Sequence, residues 1–166
     1  GFGNLRIGPN GGLQLLTTGQ QNLAIGSRAL ESLTDGGNNI AIGADSMRFG
    51  TSGNDNTAIG PFTMMDNTTG NGNVAIGGAA LQNNTTGSNN TAIGGAALDA
   101  NTTSNFNTAI GGQSLKSNTT GGNNVAIGWQ SLLSSNGDAN VAIGYQAAYN
   151  STTANGNVAI GFESLL

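Results

Sequence analysis

Eight carboxylates, Glu31, Asp35, Asp45, Asp55, Asp66, Asp99, Asp138 and Glu163, are the groups in this 166-residue chain best suited to acid–base chemistry, since it has no His and no Cys. That absence excludes nucleophilic catalysis of the Ser-His-Asp or Cys-His kind. Two carboxylates flanking a glycosidic bond would still suffice for glycoside cleavage, but their spacing, set out below, supplies no such pair within one chain. Gly-rich segments such as Gly70-Asn71-Gly72-Asn73 lack the Lys and the following helix that let a glycine loop hold phosphate, so they read as turns. The Asp and Asn loops are rich in oxygen, yet none carries the dense Asp pattern of a calcium-binding roll. No metal, no cofactor and no enzymatic activity are expected.

Three further sets of residues recur with a spacing that invites a functional reading. Trp129, Tyr145 and Phe162 form an aromatic column, with Gln130 and Gln146 beside it. With Gln113 they suggest a platform for a sugar ring, or else an aromatic ladder that packs the fold. Asn22, Asn39, Asn56, Asn73, Asn90, Asn107, Asn124, Asn140 and Asn157 form a column that reads either as a ligand array or as an internal hydrogen-bonded ladder. The ladder is the favoured reading. Paired threonines, Thr68-Thr69, Thr85-Thr86, Thr102-Thr103, Thr119-Thr120 and Thr152-Thr153, align in the same way. A regular Thr array can order water and bind ice. Asn67, Asn84, Asn101, Asn118 and Asn150 fit the glycosylation sequon, which repetition of one turn explains without any glycan.

What positions all of these residues is a repeat. The phrase Asn-x-Ala-Ile-Gly recurs with its Gly at 26, 43, 60, 77, 94, 111, 128, 144 and 161, spaced 17 residues apart except for one step of 16. A degenerate copy, Asn4-Leu5-Arg6-Ile7-Gly8, precedes them. A fixed period of this length marks a stack of coils. Ahead of each Ala stands Leu23, Ile40, Thr57, Val74, Thr91, Thr108, Val125, Val141 or Val158, almost all β-branched, which makes the phrase a short strand. On size, the Ile and its β-branched partner are expected inside the coil. The Asn, Ala and Gly then form a narrow outer face open to a neighbouring chain.

Four residues past each Gly lies a second apolar column: Leu30, Met47, Met64, Leu81, Leu98, Leu115, Leu132, Ala148 and Leu165. The residue before it is always small. This predicts a second short strand or a bend. Two apolar strips at unequal spacing favour a flattened roll over a triangular helix. Stacking in register also brings Arg28 to Asp45, Arg48 to Glu31 and Lys116 to Asp99, each 17 residues apart. No two acids share a column in adjacent coils. Glu31 and Asp99 share one four coils apart, ~19 Å at the strand spacing.

Composition limits the partners. With four basic residues and a net charge of −4, the chain cannot build a phosphate-tracking stripe, so nucleic acid is excluded. No apolar run reaches the ~20 residues of a membrane span. The opening Gly1-Phe2-Gly3-Asn4 and the closing Leu165-Leu166 fall in mid-repeat, so residues 1–166 are expected to form a single repeat domain of a longer fibrous chain.

Asn73-Val74-Ala75-Ile76-Gly77 with Ala80, and Asn124-Val125-Ala126-Ile127-Gly128 with Ser131, resemble the head repeats of YadA-like trimeric autotransporter adhesins. The Asn90–Leu98 segment is also similar to repeats of phage tail-fibre proteins. The resemblance covers essentially the whole chain. It implies an all-β, left-handed parallel β-roll or solenoid, here of about ten 17-residue coils, assembled as a homotrimer. It also implies an extracellular fibre, a virion tail fibre or a bacterial surface adhesin, that meets a host or cell-surface glycan or protein. The 17-residue coil, the extra Leu or Met column and the Asn-Thr-Thr-Gly loop depart from the adhesin pattern. An ice-binding solenoid and a self-polymerising filament are the alternative readings.

Overall fold

The computed structural model describes residues 3–9 and 18–166, so the opening Gly1-Phe2 lies outside the described residues. It is a β-solenoid. Each coil contributes one three-residue strand: β1 (Leu5–Ile7), β2 (Leu23–Ile25), β3 (Ile40–Ile42), β4 (Thr57–Ile59), β5 (Val74–Ile76), β6 (Thr91–Ile93), β7 (Thr108–Ile110), β8 (Val125–Ile127), β9 (Val141–Ile143) and β10 (Val158–Ile160). They form one ten-stranded sheet in sequence order. Every pairing is parallel and joins like to like: Ala to Ala and Ile to Ile from β2 onward. Register comes from the repeat, because one coil of chain returns each residue to its own column.

The faces of the strand are the reverse of the sequence expectation. Ala41, Ala58, Ala75, Ala92, Ala109, Ala126 and Ala142 are fully buried, and so are Asn39, Asn56, Asn73, Asn90 and Asn124. The Ile and β-branched residues on either side of each Ala point outward, and Ile40, Ile59, Ile76 and Ile110 remain more than a third exposed. Strand alternation permits either choice. Volume decides it. Leu30, Met47, Met64, Leu81, Leu98, Leu115 and Leu132 enter from the opposite side of the coil and are fully buried. One such side chain per coil leaves room for only a methyl group beneath the strand. The narrow face is therefore the interior, and the neighbouring chain cannot meet it.

The segment carrying the Leu column is a bend, not a second strand. Two of its residues in each coil from Arg28 onward have positive φ, for example Ala96 (54°) with Leu98 (54°) and Gln113 (58°) with Leu115 (50°). Such angles are unusual for side-chain-bearing residues. They persist because they aim successive N–H groups along the rod in opposite directions. Gln113 N–H donates to Gly95 O of the preceding coil at 2.9 Å, while Leu115 N–H donates to Ser131 O of the following coil at 3.0 Å. The backbone of the bend is thus tied to both neighbours, as buried backbone polar groups require.

Two Asn ladders run through the interior. Asn73 Nδ2 donates to Asn56 Oδ1 (3.2 Å) and to Gly87 O (2.9 Å), and its Oδ1 accepts from Asn90 N (2.9 Å) and Asn90 Nδ2 (3.2 Å). That uses both donors and both acceptor sites of the amide. The second ladder is Asn67, Asn84, Asn101 and Asn118, all buried. Gly87 O also accepts from Asn84 Nδ2 at 2.9 Å, so one carbonyl joins the ladders.

The 16-residue step shows how a missing residue is accommodated. In the regular coils, Thr68 N, Thr68 Oγ1 and Thr69 N all donate to the carbonyl of Thr85 one coil on, at 3.0, 2.9 and 3.1 Å. Thr119 N, Thr119 Oγ1 and Thr120 N donate instead to the side-chain oxygen of Asn136, at 2.7, 2.9 and 3.4 Å. The amide oxygen replaces the carbonyl that the shorter coil lacks. Asn136→Ala should therefore cost about 1 kcal/mol, one net hydrogen bond, whereas Asn136→Asp, which keeps the acceptor, should unfold at the wild-type midpoint. Thermal unfolding followed by circular dichroism separates the two; equal losses would refute the substitute-carbonyl reading.

Candidate functional site

The outward sheet face is a regular surface that repeats along all ten strands. It presents one Ile and one Leu, Ile, Val or Thr from each strand, and no charged residue stands at either outward position in any of the ten strands. At ~4.8 Å per coil the stripe runs for ~45 Å. Thr57, Thr91 and Thr108 carry the only hydroxyls on it, each half-buried, and among the described residues none of the three hydroxyls has a hydrogen-bond partner. Contiguous apolar patches of this extent mark interaction sites. The mixture of Thr, Val, Ile and Leu in the column of this face did not mark it as a surface in the sequence, because the fully buried column of Ala29, Ser46, Thr63, Ala80 and Ser114 mixes residue types as well.

Beside the stripe lie the aromatic residues. The rings of Tyr145 and Phe162 stack with centroids 5.2 Å apart and 10° between planes. Trp129 extends the other way, over Gly112, where an added Cβ would lie 2.5 Å from the indole Cζ3. The three therefore do not form one continuous platform. Gln130 Nε2 donates to Gln113 Oε1 at 2.8 Å and Gln146 Nε2 to Gln130 Oε1 at 2.7 Å. The amides proposed to face a sugar thus bond to each other, as a packing ladder does, although Trp129, Tyr145 and Phe162 remain exposed.

No family model, curated protein or solved structure matches this chain. Among the described residues the ionisable groups form salt bridges and solvated positions rather than a reactive cluster. Arg28 bonds Asp45 at 2.7 Å, and Arg48 bonds Glu31 at 2.7 Å and lies 3.6 Å from Asp45. Arg48 also packs over the Phe49 ring, 4.7 Å from its centroid. Lys116 does not close an ion pair with Asp99; Asn83 donates to that carboxylate instead, at 3.2 Å. Burial raises the Asp99 carboxyl above its ordinary value against the opposing pull of Lys116, and burial alone raises Asp66. The two are in different columns and make no catalytic pair. Among the described residues no three acids lie close enough to hold a metal ion, and no helix is long and apolar enough to cross a membrane.

The Thr pairs divide in two. In the first four pairs the leading Thr donates its hydroxyl to the next coil, as Thr68 to Thr85 O and Thr85 to Thr102 O, both at 2.9 Å, whereas Thr152 and Thr153 are both exposed. The second, Thr69, Thr86, Thr103 and Thr120, is exposed. Of the five sequon asparagines, Asn67, Asn84, Asn101 and Asn118 are buried in a ladder and inaccessible to a glycan in the folded chain, and Asn150 is exposed. A cavity of about 240 Å³ lined by Asn150, Ser151, Ala154, Asn157, Leu165 and Leu166 opens at the last coil and holds no ionisable side chain.

Proposed function

We propose that this chain is a rigid segment of a trimeric extracellular fibre, a phage tail fibre or a bacterial adhesin head, that attaches to surfaces through many weak contacts. The observation that carries this reading is the uncharged outward stripe. An Ile left about a third exposed retains roughly 0.5–1 kcal/mol of hydrophobic gain. Repeated over ten strands, this is a substantial drive to self-association, against which stands the cost of immobilising the chains. The resemblance of the Asn-x-Ala-Ile-Gly coils to YadA-like heads and tail-fibre repeats supports a threefold assembly. Three rods side by side would leave the exposed Thr69, Thr86, Thr103 and Thr120 and the aromatic residues Trp129, Tyr145 and Phe162 on the outside. There they can meet a host or cell-surface glycan or protein, and linked contacts gain avidity.

Mass measurement by light scattering tests the assembly. A defined trimer is expected. Ile76→Glu places a charge in the centre of the stripe, and it should yield monomers with unchanged circular dichroism. A monomeric parent chain would overturn the proposal. It would favour the second reading, an ice-binding solenoid, for which the outward face with its three unbonded Thr hydroxyls and the exposed Thr69, Thr86, Thr103 and Thr120 are the relevant features; thermal hysteresis would then be measurable. Open-ended polymers would favour a filament.

A further inference from the structure

A face that repeats every coil does not by itself define how two copies align. Sliding one copy along another by a coil, ~4.8 Å, replaces each Ile with another Ile. What breaks this degeneracy is the column that opens each strand: Leu in β2, Ile in β3, Thr in β4, Val in β5, Thr in β6 and β7, and Val in β8, β9 and β10. Thr and Val have nearly the same shape. They differ in a hydroxyl, which must find a partner once it is covered. Thr57, Thr91 and Thr108 find none among the described residues.

The positions of these three residues matter more than their number. Thr57 is two coils from Thr91, Thr91 is one coil from Thr108, and Thr57 is three coils from Thr108. The three separations all differ. Between two parallel copies, a slip of one, two or three coils therefore brings only one Thr opposite another, and a larger slip brings none. An antiparallel arrangement matches at most two. Only a parallel arrangement with no offset matches all three.

We infer that Thr57, Thr91 and Thr108 set the axial register in which copies of this chain associate, parallel and without offset. The inference rests on the self-association proposed above and adds its alignment. The occupant of the face is another copy of the chain, because a partner must be equally long, equally uncharged and carry hydroxyls at the same three heights. Around a closed rotational axis each Thr meets its own counterparts, and each hydroxyl can both donate and accept. A constant offset per copy is a screw operation, which gives an open filament, and it sets hydroxyls against methyl groups. The same three residues thus select a closed assembly over a staggered one.

The chain has no Cys, so register can be read with introduced ones. Chains carrying Ile76→Cys and Ile93→Cys, tagged to differ in size, are mixed, unfolded, refolded together and oxidised. In-register copies cross-link like with like, whereas a one-coil slip cross-links the two kinds. With the natural threonines, mixed products should be at least about tenfold rarer than like products, since a slip leaves hydroxyls unpaired. In the Thr57→Val, Thr91→Val, Thr108→Val background the two should approach equal yield, with circular dichroism unchanged. The double variant Thr57→Val, Val74→Thr keeps three hydroxyls but makes them adjacent, so a one-coil slip retains two matches; it should fall between. Equal yields with the natural threonines, or a triple-Val background that still excludes mixed products, would overturn the register role while leaving the assembly intact. A parent chain that is monomeric would overturn both.

Discussion

Gly94→Ala is expected to destabilise the rod by roughly 3–5 kcal/mol, combining strained backbone with overpacking, while Gly95→Ala, one residue further on, should change stability by less than about 0.5 kcal/mol. Gly94 has φ +131°, and a Cβ there would lie 2.6 Å from the carbonyl carbon of Gly111 and 2.7 Å from its oxygen. Neither atom can retreat, because both belong to the backbone of the next coil, where Gly111 repeats the same conformation at φ +127°. Gly95 has nothing within 4 Å of the corresponding position. In a stack where each coil touches only its neighbours, the damage should concentrate at the β6–β7 junction. Amide exchange there, for instance at Gln113 N–H, which bonds Gly95 O, should accelerate before the distant coils respond. Denaturant midpoints of the two variants supply the test, and a Gly94→Ala protein as stable as the parent would show that the coils can separate to admit the methyl group.

Asn73→Ala is expected to cost about 2–4 kcal/mol, the penalty of a buried unsatisfied N–H together with a small void. The side chain is wholly buried, and its oxygen is the acceptor for the Asn90 N–H. Thr69→Ala, at an exposed hydroxyl outside the ladders, is the matching control and should be near neutral. Asn73→Asp separates charge from hydrogen bonding. The carboxylate keeps the acceptor but loses the donors to Asn56 Oδ1 and Gly87 O and introduces a buried charge. Burial favours its protonated form, so its folded pKa should lie above its unfolded value. The folded state then binds the proton more tightly, and stability falls as pH rises through that interval. The variant should recover on acidification towards pH 4, and Asn73→Ala should not. If both variants respond to pH alike, the charge is not what destabilises Asn73→Asp.

The period, the strands and the in-register stacking were legible because every coil repeats the same phrase, and two of three charge pairs formed where the column arithmetic placed them. Which strand face is inside was not legible from residue size. Ile is larger than Ala, but the interior is already filled by the Leu or Met that the bend sends across. The bend itself was hidden for a different reason: nothing in the residue types of Ala96 or Leu98 announces a positive φ, which arises from bonding to two coils at once. The role of Asn136 could not be read either. A single deletion looks like a shortened loop until the side-chain oxygen is seen to take the place of a carbonyl. The outward face had no separate clue: Thr stands in the outward column at Thr57 and in a fully buried one at Thr63.

The bonds between coils all run along the length of the rod, and this gives the molecule a particular response to load. Tension applied at the ends of a single rod falls on one coil junction at a time, so coils peel in succession rather than rupturing together. Each one released converts a rise of ~4.8 Å into a free strand of up to ~55 Å, the reach of 17 extended residues. A fibre segment of this design behaves as a stepped extender: stiff at its working length, and able to yield many times that length before the covalent chain bears the force.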